Sequence, residues 1–213
     1  MKFIKNNILS NGSRLIIVQL DLDIIDHVWD IKLSPEELHK YRTISHDKRK
    51  CEFLSIRKVI QTIYNEEEYI SYSKNGKPNL AISGHKISIS HSDGLLGILI
   101  HPGVEVGIDL QVITPKIARI KHKFMSEAEL ISSKELENQM IVYWCAKEAL
   151  FKYYSKGNVE FKSNLFIEPF NMDSSGELCG QIHMPDMDTS IPMNYELIGN
   201  TMIVYTMEKP TSS

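Results

Sequence analysis

The order of hydrophobic periodicities constrains this chain most. A strand-like run, RLIIVQL (Arg14–Leu20), precedes a helix-start signal at Ser34, where Pro35 follows the cap and Glu37 stands three residues on. A helix is expected from about Asp47 to Tyr64, with Phe53, Leu54, Val59, Ile60 and Ile63 on its apolar face. The turn-forming segment SKNGKPN comes next, and two strands, KISISHS and LLGILIHP, flank an SDG turn as a hairpin. Then the cycle restarts. EVGIDLQVI (Glu105–Ile113) alternates, Thr114-Pro115 opens a basic helical segment, and Ser126 with Glu129 repeats the start signal. A long helix is expected from roughly Glu135 to Ser155, stopped by Gly157, and residues Val159 to Glu208 read as strands. Strand, helices, strands, twice over, predicts an α+β protein of two similar lobes, each a small antiparallel sheet packed with helices. The lobes are expected at 1–103 and 104–213, although no repeat of sequence is visible between them.

Composition narrows the function classes. The chain has 213 residues, 42% hydrophobic and 24% charged, with a net charge of -3. That charge argues against a general nucleic-acid binder. The start, MKFIKNNILS, contains no apolar signal region, and LLGILI is too short to span a bilayer, so a cytoplasmic protein is expected. Three widely spaced cysteines (Cys51, Cys145, Cys179) give neither a disulfide framework nor a zinc motif.

Two carboxylates stand in unfavourable places. On a helical wheel Glu148 is flanked by Ile141, Trp144, Cys145 and Phe151. Buried there, it must be neutral, paired or metal-bound; an exposed pair with Lys152 would be the plain alternative. Asp109 lies in a strand, between Ile108 and Leu110, and shares a face with Gln111. If the long helix packs on that face, Asp109, Gln111 and Glu148 form an oxygen-rich group suited to magnesium. A salt bridge with Lys147 or Lys152 competes with this reading. Ser90 and His91 end a strand, but strand neighbours do not face each other, and no G-x-S-x-G elbow is present. His91, the rigid Gly76-Lys77-Pro78 turn, and Arg49 with Arg57 on roughly one helix face are candidate phosphate contacts. Walker and G-x-G-x-x-G loops are absent.

Four blocks in order, KRKCEFLSIR (Lys48–Arg57), GKP with ISISHS (Gly76–Ser92), VGIDLQ (Val106–Gln111) and WCAKEALFKYYSKG (Trp144–Gly157), resemble the 4'-phosphopantetheinyl transferase superfamily of the surfactin-synthetase-activating type. The resemblance implies a magnesium-dependent enzyme that moves the phosphopantetheine arm of coenzyme A to a serine of an acidic acyl or peptidyl carrier protein. It further implies Asp109 and Glu148 as magnesium ligands, with Glu148 also taking the serine proton. Lys152 and His91 would contact the pyrophosphate; Lys77, Arg49 and Arg57 the phosphates of coenzyme A; and Ser90 and the turn around Lys77 and Pro78 the nucleotide. Gln111 stands where bacterial relatives often carry a third acid. Two lobes in one chain suggest a monomer. The basic segment PKIARIKHKF is expected to dock the carrier. A non-catalytic coenzyme A or carrier-binding module and a magnesium-dependent phosphohydrolase are the alternatives.

Overall fold

The computed structural model describes residues 1–64, 68–134 and 136–209. Strands β1 (Lys2–Ile8) and β2 (Arg14–Gln19) come first, then helices α1 (Pro35–Thr43) and α2 (Asp47–Ile63). Strands β3 (Ile70–Tyr72), β4 (Pro78–Leu80), β5 (Lys86–Ser92) and β6 (Leu95–His101) follow. These strands form one antiparallel sheet in the order β1-β2-β6-β5-β4-β3. The second sheet begins with β7 (Ile108–Val112) and runs through α3 (Lys116–Phe124), α4 (Glu127–Ser132), α5 (Glu137–Tyr154) and α6 (Phe161–Asn164). It ends in β8 (Leu165–Ile167), β9 (Ser175–Met184), β10 (Met187–Ile198) and β11 (Thr201–Thr206), ordered β7-β11-β10-β9-β8. Leaving β1 aside, the two orders are the same: the strand before the helices pairs with the last strand. This is the two-lobed α+β arrangement expected from the element order.

The lobes pack sheet against sheet. On β2, Ile16 and Val18 join Ile56, Val59 and Ile60 of α2, while Leu15 and Ile17 join Ile108, Leu110 and Ile203 of the second lobe. Both faces of β2 are therefore buried, which is why it reads as an unbroken apolar run. Asp93 and Gly94, at φ 48 and 76, make the two-residue β5–β6 turn.

The helix starts follow their sequence signals. Ser34 and Glu37, and likewise Ser126 and Glu129, form reciprocal capping boxes. α5 ends at Tyr154 because Ser155 turns left-handed at φ 54. Gly157, read as the stop, lies beyond the end. Glu135, read as the start of this helix, lies outside the described residues. Strands β1, β3 and β4 carry no clear alternation and were not legible in advance.

Candidate active site

The site forms where α5 crosses β7. α5 is buried nearly all round. Its half-buried positions, Trp144, Glu148, Phe151 and Lys152, lie on one helical stripe that runs to the capping Ser155. Glu148 thus stands on the open side of the helix, bordered by aromatic rings, and is half-buried rather than enclosed. Beneath it, Gly107 makes the close approach possible: a Cβ there would sit 1.9 Å from the Ala149 carbonyl oxygen. The next residue on that face of β7 is Asp109, which the approach brings under the helix.

The polar contacts at Asp109 are specific. Lys152 Nζ donates to Asp109 Oδ1 at 2.7 Å and to the Ile108 carbonyl at 3.0 Å. Ser90 Oγ donates to the same Oδ1 at 2.7 Å. Lys152 therefore pairs with Asp109 and not with Glu148, its neighbour one turn away. Lys147 is elsewhere: fully buried, it donates to Glu129 at 2.8 Å and to the Phe124 and Phe161 carbonyls at 2.7 and 2.9 Å. Among the described residues Glu148 has no hydrogen bond or ion pair. Burial, then the charge of Asp109, push its carboxyl up to about 7, with Lys152 opposing. Gln111, two residues along the strand from Asp109, has no side-chain hydrogen bond among the described residues. No group of three or more His, Cys, Asp or Glu side chains is gathered among the described residues. Two mutually repelling carboxylates nonetheless fit a hard divalent ion, which commonly takes one or two carboxylates beside substrate oxygens. Asp109 and Glu148 are the residues that could hold one.

A cleft of about 510 Å³ lies beside this cluster, between the lobes. Lys77, Pro78, Ser88, Phe151, Lys152 and Lys156 are among its lining residues. Lys77 is tethered there. Its ammonium pairs with Glu105 and donates to the Tyr153 carbonyl at 3.0 Å, while Asn75 donates to the Ser155 carbonyl at 3.2 Å. The 73–77 turn is thereby fastened to the C-terminal end of α5, where a cation is favoured. Lys86 also reaches Glu105, at 3.2 Å. Glu105, Asn75 and Lys156 were missed by sequence reasoning; nothing local marks them.

Other candidates fall elsewhere. Arg49 and Arg57 do not share a face. Arg49 is exposed, whereas Arg57 is 2% exposed, bonded to Glu37 at 3.1 Å, with its guanidinium 3.5 Å from the Phe53 ring centroid. Arg57 is a core residue and does not line the cleft. His91 points away from Ser90 and sits 3.2 Å from Glu52 of α2. Ser90 is 7% exposed and turned toward β7.

No helix among the described residues is long and apolar enough to cross a membrane. The family model of the 4'-phosphopantetheinyl transferase superfamily matches residues 105–190. The match takes in Asp109, Gln111, Glu148 and Lys152. No curated protein matches the chain.

Proposed function

We propose that this chain transfers the 4'-phosphopantetheine arm of coenzyme A to a serine of an acyl or peptidyl carrier protein. The observation that carries this reading is the Asp109–Lys152 pair, with the unpartnered Glu148 beside it, at the edge of an inter-lobe cleft lined by lysines. Asp109 and Glu148 would hold magnesium, with Gln111 on the same strand face. When bound there, the ion supplies charge neutralisation at the pyrophosphate.

The chain's own groups do the rest. The second lobe, 104–213, carries the carboxylates, and the first, 1–103, contributes phosphate contacts. Lys152 and Lys77 line the cleft and bind phosphate oxygens. Arg49 and His91, on the first lobe, would supply further phosphate contacts; Arg57 is left out because its guanidinium is buried against Glu37. Glu148 takes the proton of the attacking serine hydroxyl, directly or through a water. The serine oxygen bonds to the β-phosphorus, the bond to the bridging oxygen breaks, and adenosine 3',5'-bisphosphate leaves.

The carrier would meet α3. Lys116, Arg119, His122 and Lys123 are exposed there, Lys121 is half-buried, and Ile117 and Phe124 anchor the helix. An acidic partner would be steered to this surface. A single chain supplies both lobes, which is consistent with a monomer working in the cytoplasm. The test is mass spectrometry of a carrier protein incubated with the chain, coenzyme A and magnesium. The expected result is a carrier heavier by one phosphopantetheine. An unmodified carrier, or free phosphopantetheine released without a carrier, would sink the proposal.

A further inference from the structure

β7 is the edge of the second sheet and, among the described residues, pairs with β11 alone. Edge strands leave a row of backbone groups unpaired. Here three serines of β5 cover them. Ile108 N–H donates to Ser88 Oγ at 3.1 Å, Leu110 N–H to Ser90 Oγ at 3.2 Å, and Val112 N–H to Ser92 Oγ at 3.2 Å. The alternation of KISISHS places all three hydroxyls on one face, so side chains of one lobe stand in for a partner strand of the other.

The three serines are not equivalent. Of the three, only Ser90 also donates a hydrogen bond to a carboxylate, Asp109 Oδ1. Lys152 donates to that same oxygen. Oδ1 is thus engaged by a donor from β5 of the first lobe and a donor from α5 of the second. These two bonds restrain the rotation of the carboxylate. A hydroxyl that accepts from a strand amide and donates to the next carboxylate has its own rotor fixed as well, so the restraint is rigid.

We infer that Ser90 is a positioning residue. It orients Asp109 across the lobe interface and so sets the metal affinity of the site. The inference rests on the reading of Asp109 as a metal ligand, and it makes the inter-lobe seam part of the site. It gives Ser90 a different duty from the nucleotide contact expected from sequence.

The three-serine row supplies its own control. Ser90→Ala and Ser92→Ala each leave one β7 amide without its acceptor, so both should lose similar stability in thermal unfolding. Only Ser90→Ala releases Asp109. The measurement is the affinity of the full chain, with coenzyme A present, for Mn²⁺, read from the loss of the free-ion electron paramagnetic resonance signal. Ser90→Ala should weaken Mn²⁺ binding about tenfold or more, the usual scale for groups that orient a ligand. Ser92→Ala should stay within about twofold of wild type, and Ser90→Thr, which keeps the hydroxyl, should restore most of the affinity. Ser90→Cys fills the same space with a poor donor and carries the same expectation if Ser90→Ala does not fold. Equal Mn²⁺ affinity in the folded Ser90 and Ser92 variants would overturn the inference alone. A wild-type chain that retains no Mn²⁺ would overturn the reading of Asp109 and the inference with it.

Discussion

The two lobes share a scaffold and one buried device, yet only one lobe carries the candidate chemistry. In the first, Glu37 closes the α1 capping box and accepts from Arg57 of α2 at 3.1 Å and from the Ile70 amide at 3.2 Å. In the second, Glu129 closes the α4 box and accepts from Lys147 of α5 at 2.8 Å and from the Ile167 amide at 3.0 Å. Each glutamate ties a short helix, a long helix and the sheet together. Position by position beyond that cation, the lobes diverge. Lys58 follows Arg57 where Glu148 follows Lys147, and Thr62 matches Lys152. Under the long helix, β2 offers Ile16 and Val18, while β7 offers Asp109 and Gln111. The first lobe shows that this scaffold closes over an apolar strand face. The acid and lysine of the second are therefore not needed to build it.

That comparison can be broken most directly at the shared glutamates. Glu37→Ala and Glu129→Ala each strand a buried cation, so each should cost about 3–5 kcal/mol. Denaturant unfolding would check this, and a loss in one lobe only would end the equivalence. Next in size is the difference itself. Asp109→Ala and Glu148→Ala should lower transfer to a carrier by on the order of a hundredfold or more. Glu148→Ala, which breaks no bond, should hold the unfolding midpoint near wild type, whereas Asp109→Ala also strands Lys152 and Ser90 and should lower it. If Glu148→Ala unfolds, that carboxylate belongs to the scaffold after all. Gly107→Ala forces a methyl group against the Ala149 carbonyl. It should cost about 1–3 kcal/mol and reduce transfer by parting Asp109 from Lys152; unaltered unfolding and turnover would deny the close approach.

Two smaller effects sharpen the contrast. Burial holds Lys147 below the usual lysine value, with Glu129 opposing. Between that lowered value and the ordinary one, the unfolded chain binds more protons, so Lys147 makes stability rise with pH. Lys147→Arg, copying the first lobe, should flatten that rise in urea midpoints taken from pH 8 to pH 10 (roughly the span below lysine titration). An unchanged slope would remove Lys147 as its source. Smallest is the α3 surface. Glutamate at Lys116, Arg119 and Lys123 should slow carrier association several-fold at low salt and less at high salt, while coenzyme A affinity stays the same. Normal association at low salt would move the docking surface elsewhere.

Much of this protein was written in local sequence. The two capping boxes, the SDG hairpin and the alternation of VGIDLQ depend on neighbours a few residues apart, and such patterns survive in one dimension. The direction in which Asp109 points was legible for the same reason, since side chains alternate along a strand. What Asp109 meets was not. That α5 lies over β7, that Lys152 reaches Asp109 rather than Glu148, and that Ser90 crosses from the other lobe to hold the same oxygen are contacts between residues 43 and 19 apart in the chain. Arg57 shows the limit most plainly. In sequence it is one more helix cation beside Arg49, and only the arrival of Glu37 and Tyr72 makes it a core residue. The strand–helix–strand order determined the two lobes. Their packing decided the site, because the groups that restrain a carboxylate come from whatever elements the fold brings together, and no local pattern encodes that meeting.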